Sequence, residues 1–396
     1  MTMAAAIENR LADAPAWSKS GPIARVDLLA DLDQAETIWR SLENQQYLYT
    51  PYQRFDFLRH WQRRLGMREG VHPLILVAYD QEHVPLVLLP LVLSETRGIR
   101  IARFMGGKHA TFNMGFWKRD FVKRASRTDL DRLFAAIRER FAADILAFTQ
   151  QPLRWRDLPN PFALLRRQPS ANDCPLMTIV PGTPAAARIS HSLRRRLRAK
   201  ERKLKELPGY RYHAAVRDAD VRRLLEAFFR IKPQRMAEQG LPNVFAEPGV
   251  EAFIRETCMT SLPGGGRVIE MHALEWDSDI IAIFAGVADG NRVSMMFNTY
   301  TMSEASRHSP GLILIRHIID YYAQRGYRSL DLGVGSDGYK KLFCKTSEPI
   351  FDCYVPLSGR GMTAAAAMSV ANRAKRLIKH SPALRSLALG LQNTFR

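Results

Sequence analysis

The sequence predicts an α/β (α+β) protein built from two related units, each a mixed, mostly antiparallel sheet flanked by helices. Length is the first reason, because 396 residues exceed one ordinary domain. The second is a repeat of strand, acidic turn and apolar strand at an offset of roughly 195 residues. Its two copies are ILVAYDQEHVPLVLLPLV, starting at Ile75, and IEMHALEWDSDIIAIFAGV, starting at Ile269. The third is a helix start and Gly-rich loop, between Ser309 and Lys341, that only the second copy contains.

The composition and the positions of proline and glycine predict the domain boundaries. Residues 1–22 are Ala-rich and interrupted by Pro and Gly, which is typical of a disordered N-terminus. A linker, Pro181-Gly182-Thr183-Pro184, follows an N-terminal domain over 23–181. We expect a C-terminal domain over 185–358 and a basic helical tail over 359–396.

Periodicity and turn residues place the elements of both units. In the first unit we expect helices over 28–43, 56–65 and 129–142, and strands over 74–79, 84–94, 99–105 and 144–149. In the second we expect helices over 189–207, 220–231 and 250–261, and strands over 210–216, 267–275, 280–288, 292–300 and 327–332. A final strand over 351–357 is predicted to complete the second unit.

The stretch from Ser309 to Lys341 has the pattern of a binding site. Ser309 is predicted as an N-cap and Pro310 as the first helical residue, and Gly311 leaves the next amides uncovered. Such a helix start offers N–H groups and the positive end of the dipole to a phosphate. A short strand and a Gly-rich loop follow, and the loop ends in Tyr339 and Lys340.

The net charge and the cysteine content limit the classes of partner and cofactor that the protein is expected to bind. A net charge of +19 and a pI near 10.1 favour acidic partners such as phosphorylated cofactors, anionic lipid or nucleic acid, although a solvated basic surface explains the charge as well. The four cysteines lack the spacing of a zinc site or a disulfide framework, so no metal is predicted. The N-terminus has no signal-type apolar region, and the longest apolar run falls short of the about 20 residues of a membrane span. We therefore expect a cytoplasmic protein.

An ordered series of motifs resembles a known family. The motifs are Arg194–Lys203, Arg235 followed by Gly240, Asp279–Ala282, Ser309-Pro310-Gly311, Asp331-Leu332-Gly333 and Tyr339-Lys340. The series is similar to the CelD-type acetyltransferase-like family of cellulose and exopolysaccharide biosynthesis, which has the GNAT fold and is related to the Fem peptidyltransferases. The resemblance covers about residues 25–358, most specifically 190–356. It implies tandem GNAT-like domains, the first of them degenerate.

The resemblance also implies an acyl donor. Acyl-CoA, with acetyl-CoA the simplest case, would bind at Ser309, Gly311 and Leu312, with Lys340 neutralising a phosphate or carboxylate. The turn from Arg307 to Leu312 keeps only Gly311 of the general signature Arg/Gln-x-x-Gly-x-Gly/Ala. An acyl carrier protein, or the aminoacyl-tRNA used by the Fem-like relatives, therefore stays open as the donor.

Three residues are candidates for catalysis, each with a structural alternative. The resemblance places Tyr339 near the donor sulfur as the acid, whereas a packing aromatic is the alternative. Asp331 is either a base or a structural acid that holds the loop amides of 333–338. His308 has the pKa range of a base, but a lone loop histidine often has no such role.

Arginines are the candidates for binding the acceptor. Arg194 and Arg198 lie in a helix that is basic on nearly every side, and Arg235 belongs to the resemblance series. They would clamp an anionic substrate, or the helix is simply solvated. No motif for reading nucleic-acid sequence is present. The tail over 362–396 would lie on an anionic membrane or dock on the protein.

We therefore predict a GNAT-type N- or O-acyltransferase. It would pass an acyl group from acyl-CoA or acyl carrier protein to an amine or hydroxyl of an envelope- or exopolysaccharide-related precursor. Transfer is expected to be direct, because no G-x-S-x-G nucleophile motif occurs. The alternatives are a non-catalytic accessory protein of polysaccharide biosynthesis and a Fem-like aminoacyl-tRNA-dependent transferase. A location at the inner face of the membrane would suit each of them.

Overall fold

The computed structural model describes residues 21–185, 188–206, 208–277, 279–335 and 338–381. Within them the chain forms two compact units. The first consists of residues 21–62, 66–173 and 349–381, and the second of residues 63–65 and the described part of 174–348. The prediction of disorder over residues 1–20 lies outside the described residues.

The strands are numbered in chain order. They are β1 (Arg25–Leu29), β2 (Tyr47–Leu48), β3 (His72–Tyr79), β4 (Pro85–Thr96), β5 (Ile99–Phe104), β6 (Phe116–Lys118), β7 (Ile145–Pro152), β8 (Arg154–Trp155), β9 (Leu158–Pro159), β10 (Gln168–Pro169), β11 (Cys174–Thr178), β12 (Arg211–Ala214), β13 (Glu270–Trp276), β14 (Asp279–Ala288), β15 (Arg292–Tyr300), β16 (Ser329–Asp331), β17 (Thr346–Glu348) and β18 (Ile350–Pro356).

The helices are numbered in the same way. They are α1 (Leu32–Ser41), α2 (Phe55–Trp61), α3 (Arg119–Val122), α4 (Arg127–Phe141), α5 (His191–Lys205), α6 (Asp218–Glu238), α7 (Val250–Met259), α8 (Pro310–Gln324), α9 (Lys340–Phe343) and α10 (Gly359–His380). Among the described residues, none of these helices has the length and apolar character that crossing a bilayer requires.

The first unit is built on a sheet in the order β1-β3-β4-β5-β7-β18-β10, with β2 and β6 paired at its side. Neighbouring strands are antiparallel except β5 and β7, where Ile101 lies opposite Ile145 in a parallel pair. Stacked and tilted aromatic rings fill the core, including those of Phe104, Phe148 and Phe162. Phe134 of α4 packs against Phe148 and Phe162, so this aromatic core holds α4 on the sheet.

The second unit repeats this plan strand for strand, in the order β12-β13-β14-β15-β16-β11-β17. Here β15 and β16 form the parallel pair, with Val293 opposite Leu330, and the other neighbours are antiparallel. Helices α6 and α8 pack on β13, β14 and β15. The prediction of two mixed sheets flanked by helices is confirmed.

The prediction for the final strand is wrong. β18 does not complete the second unit but joins the sheet of the first, where Tyr354 lies opposite Ala147 of β7. In exchange, β11 enters the second sheet, where Met177 lies opposite Leu330 of β16. Alternating apolar residues mark a segment as a strand but do not say which neighbour it pairs with.

The domain boundaries shift accordingly. The second unit covers 174–348 rather than 185–358, and the predicted tail is part of the first unit. Helix α10 packs on β18 and β7, and Asn372 of this helix donates from Nδ2 to the carbonyl of Pro169 at 3.0 Å. The docking interpretation of the tail therefore holds for one face of α10.

Candidate functional site

The two parallel strands of the second unit separate at their carboxyl ends. β15 and β16 are paired only over Arg292–Ser294 and Ser329–Asp331, and β15 continues beyond this pairing to Tyr300. The register also shifts by one residue, since Met295 lies opposite Gly286 and Phe297 opposite Ala285. Such a bulge bends a strand and redirects its side chains. Residues 295–300 of β15 therefore extend past the end of β16, and we call the place beside them the opening.

Helix α8 begins at this opening. Pro310 occupies its first position, and Ser309 precedes it in the left-handed conformation with φ of 56°. The expected side-chain cap is wrong, because Ser309 Oγ accepts a hydrogen bond from Lys200 Nζ at 2.7 Å instead. The same ammonium donates to the carbonyl of Arg307 at 2.9 Å. The positive end of the helix dipole and a lysine thus lie at one turn.

Gly311 brings the helix start against Tyr300 of β15. A Cβ atom at Gly311 would lie 3.3 Å from the Tyr300 ring, so a side chain there would press on this contact. On the ring of Tyr300 lies the guanidinium of Arg235, 3.5 Å from its centroid, and Arg235 Nη2 donates to the Tyr300 hydroxyl at 2.5 Å. The predicted residues Gly311 and Arg235 therefore meet through Tyr300.

Tyr339 reaches the same strand. Its hydroxyl accepts a hydrogen bond from Nδ2 of Asn298 at 3.2 Å. Asn298 and Tyr300 are two residues apart in a regularly paired part of β15, so they point to the same face, roughly 7 Å apart along the strand. Tyr339 and the start of α8 thus lie on one face of β15.

Asp331 is enclosed in the sheet. Its side chain is fully buried and accepts hydrogen bonds from Arg292 Nε at 2.9 Å, from the amide of Gly333 at 3.1 Å and from the hydroxyl of Ser294. Arg292 also contacts Glu348 at 2.8 Å. Burial works against the charge of Arg292, but Asp331 and Glu348 outweigh it and raise its pKa. These contacts favour the structural alternative for Asp331, which holds the start of the loop.

Lys340 faces the loop interior rather than the opening. The residue is 3% exposed, and its ammonium donates to the carbonyls of Gly333 at 3.2 Å and Val334 at 3.1 Å. An ammonium held by backbone carbonyls supports the loop that carries Tyr339. This arrangement differs from the expected contact with a cofactor.

The remaining candidates surround the start of α8 less closely. His308 accepts a hydrogen bond from Arg307 Nε at 3.2 Å, and burial together with Arg307, Lys203 and Lys200 lowers its pKa. Leu312 is half-buried in the first turn of α8. On α5, Arg198 is exposed and Arg194 is half-buried. Because α5 packs on the 3₁₀ helix Glu304–His308, its basic side chains raise the positive potential near the turn.

The corresponding place in the first unit has different side chains. Helix α4, which connects the parallel strands there, begins with a capping box in which Ser126 and Asp129 satisfy each other. Its first turn therefore carries a carboxylate that would repel a phosphate. Beside β7, Gln150 Nε2 donates to the carbonyl of Ala110, and Asn113 Nδ2 donates to that of Thr149. These bonds hold the segment 110–113 against the end of β7.

Sequence reasoning missed Asn298 and Tyr300 as site residues, because they end an apolar strand and have no motif of their own. Lys200 belonged to the predicted basic clamp, but the sequence did not distinguish it from the other basic residues of its helix. The polar end of β15, Asn298 to Tyr300, was the available signal.

Comparisons with known proteins show what this fold is similar to. Residues 191–341 match the family model described as an acetyltransferase (GNAT) domain. The crystal structure of FemX is similar with a TM-score of 0.52 and 9% identity, covering 77% of this chain and 96% of FemX. A conserved protein of unknown function from Bacteroides thetaiotaomicron VPI-5482 has a TM-score of 0.50 and 10% identity, covering 83% of this chain and 99% of that one.

The curated protein sequences contain no match to the chain. The family match covers α5 to the start of α9, which includes the opening beside β15 and the first turn of α8. The residues that match this model lie within the second unit, around its mixed sheet. The second unit therefore has the fold of a GNAT acetyltransferase domain.

Proposed function

We propose that the second unit is an acyltransferase that passes an acyl group from a thioester donor, acyl-CoA or acyl carrier protein, to an amine or hydroxyl. The observation that carries this proposal is the common face of β15. The start of α8, with Lys200 beside it, and the pair Asn298–Tyr339 both lie along that face. A phosphate group and a reacting carbonyl on one extended donor need such an arrangement.

In this mechanism the donor phosphates bind at Gly311 and Lys200, and the thioester lies near Tyr339. The acceptor nitrogen or oxygen attacks the thioester carbon, and the carbon–sulfur bond breaks. In this proposal the side-chain amide of Asn298 polarises the carbonyl oxygen. Tyr339 gives its phenolic proton to the leaving thiolate and regains one from the acceptor, so the proton count balances. Holding both reactants supplies much of the rate.

Donor binding tests the proposal by calorimetric titration with acetyl-CoA, longer acyl-CoAs and free CoA. Gly311→Asp places a carboxylate at the helix start, whereas Gly311→Ala adds the same Cβ atom against Tyr300 without charge. We expect the Asp variant to bind at least about fivefold more weakly than the Ala variant. Equal affinities of the two variants would remove the phosphate site from the start of α8.

Turnover tests the role of Tyr339. Tyr339→Phe keeps the ring and removes the hydroxyl that contacts Asn298. Donor affinity should stay unchanged, while kcat should fall by about a hundredfold. Tyr321→Phe, at the other end of α8, is the matched control and should leave kcat unchanged. An unaltered kcat in Tyr339→Phe would exclude the residue as the acid.

A Fem-like transfer from aminoacyl-tRNA is the second candidate. The observation that favours it is the exposed basic face of α5, including Arg195, Arg196 and Arg198. Binding of charged tRNA that weakens steeply with salt would support it over acyl-CoA. Donor binding without any turnover would instead favour a non-catalytic accessory protein. The resemblance to CelD-type proteins supports an envelope- or exopolysaccharide-related precursor, at the inner face of the membrane, as the acceptor.

A further inference from the structure

Helix α10 has an apolar face that points away from the first unit's sheet, on which the helix packs. Its packed face contributes Ala364, Ala365 and Asn372 to the first unit. On the opposite side, Met362 is 63% exposed, and Val370 and Leu377 are each 65% exposed. Large apolar side chains this open to water are rare when they share one face.

Mostly small side chains fill the rest of the outer face. With 100° per residue, the arc from Met362 to Ala371 also contains Thr363, three alanines at 366, 367 and 374, and Ile378. Arg373 lies near one edge of this arc and Arg360 near the other. An apolar face bordered by arginines is the pattern of a helix that lies in a membrane interface.

The charged side chains of this segment itself all have the same sign. Between Gly359 and Arg396 the sequence contains seven Arg or Lys residues and no Asp or Glu. Arg376 is paired with Asp173, but Arg360 and Arg373 contact uncharged oxygens, of Gly98 and Gln168. A partner that complements the outer face must therefore offer an apolar layer to the apolar side chains and anionic groups to the arginines at its edges.

We infer that the outer face of α10 docks on a membrane that contains anionic lipid. Val370 and Leu377 enter the boundary between headgroups and acyl chains, while Arg360 and Arg373 contact lipid phosphates. A second copy of this chain fits the face poorly, because two faces of the same basic helix would repel each other in a protein of net charge +19. Nucleic acid would leave the apolar residues exposed to water.

The test is co-sedimentation of the full chain with two kinds of vesicle, phosphatidylcholine alone and equal parts of phosphatidylcholine and phosphatidylglycerol. The apolar variant is Val370→Ser with Leu377→Ser, and the charge variant is Arg360→Gln with Arg373→Gln. Arg195→Gln with Arg196→Gln is the matched control, since it removes two exposed arginines from α5 of the second unit. Melting temperatures and sedimentation velocity establish that each variant is folded and report its oligomeric state.

The wild-type chain should bind the phosphatidylglycerol vesicles and should release them as salt rises. Each α10 variant should bind at least about tenfold more weakly, whereas the α5 control should lose much less. Three results would overturn the inference: equal binding to both kinds of vesicle, equal losses in the control and the α10 variants, or apolar variants that bind normally but dissociate a dimer.

Discussion

At the residue scale, the interior of the second sheet contains a charge that its neighbours must neutralise. Asp331 is fully buried between Arg292, Ser294 and the amide of Gly333. A buried carboxylate with these contacts stabilises the fold, and its loss leaves Arg292 with Glu348 as its remaining acidic contact. The structural role therefore makes a prediction that a catalytic base would not.

We expect Asp331→Asn to lower the free energy of unfolding by roughly 3 kcal/mol, because it removes one half of a buried ion pair. Urea denaturation measures this change. Asp279→Asn, an exposed position on β14, should change stability by less than about 0.5 kcal/mol. A variant as stable as the wild type but inactive would instead identify Asp331 as a base.

Single residues also show how far sequence reasoning reaches. Gly311, Tyr339 and Arg235 were candidates from the sequence, and the structure brings them to one strand end through Asn298 and Tyr300. These two intermediaries were not predictable, because their contacts join positions 41 and 65 residues apart in the chain. Such contacts follow from the sheet, and no local pattern encodes them.

At the element scale, helix α10 approaches the first sheet so closely that one position requires glycine. A Cβ atom at Gly361 would lie 1.7 Å from the backbone oxygen of Asp144, which cannot give way without moving the strand start. Gly359, in the same helix turn, has no atom near its Cβ position. Alanine substitutions at Gly361 and Gly359 therefore distinguish the effect of packing from the effect of helix propensity.

We expect Gly361→Ala to destabilise the first unit by about 1 to 3 kcal/mol, because the clash outweighs the better propensity of alanine. Gly359→Ala should be neutral or stabilising by up to about 1 kcal/mol. Thermal unfolding of the two variants measures the difference. A Gly361→Ala variant as stable as Gly359→Ala would show that α10 does not pack tightly on the sheet.

Buried hydrogen bonds connect three elements of the second unit. The hydroxyl of Tyr212 on β12 lies 3.0 Å from His272 Nδ1, and His272 Nε2 lies 3.0 Å from the hydroxyl of Tyr322 on α8. Tyr322 donates its proton to Glu270, so it accepts from Nε2, and the neutral ring accepts at Nδ1. Burial lowers the pKa of His272 to about 3.

Below pH 6.5 the side chain of residue 272 is protonated in the unfolded chain but stays neutral in the folded protein, where the pKa of His272 is about 3. The contribution of His272 to the free energy of unfolding is therefore fully present above pH 6.5 and decreases as the pH falls towards 3. The loss should reach about 1.4 kcal/mol for each pH unit. His272→Gln should remove this slope, whereas His191→Gln, at an exposed position, should keep it. Urea midpoints across the pH range measure both, and parallel curves for wild type and His272→Gln would contradict the assignment.

The bounds of helices and strands were predictable where the hydrophobic periodicity was strong. The predictions were wrong where tertiary contacts determine the end of an element. The long strands β4, β14 and β15 agree with the pattern to within two residues. Helix α6, expected to end at 231, continues through Pro233 to Glu238. Contacts of its last turns with β15, from Lys232 and Arg235, help to hold the helix beyond the proline.

At the scale of the whole molecule, the internal repeat predicted two similar folds but not the exchange of strands between them. β18 lies between β7 and β10 in the first sheet, although it follows the whole second unit in the chain. A repeat reports which segments resemble each other. The pairing of a strand depends on edges that become available only in the assembled sheets.

The exchange predicts how truncation acts. A chain that stops after Glu348 lacks β18 and α10, so the first sheet is interrupted between β7 and β10. We expect its first unit to lose hydrogen-exchange protection in β7, whereas a chain that stops after Ser381 keeps it. Full protection of β7 in the shorter chain would contradict this prediction.

The position of β18 late in the chain also determines when the first unit can complete its sheet during synthesis. Domains usually fold from the N-terminus as the ribosome releases them. Here the first unit must wait, with an incomplete sheet, until residues beyond Pro356 have left the exit tunnel. The nascent chain therefore carries an open strand edge through the whole translation of the second unit, and chaperones that shield such edges should matter more for its yield than for that of a protein whose domains close in order.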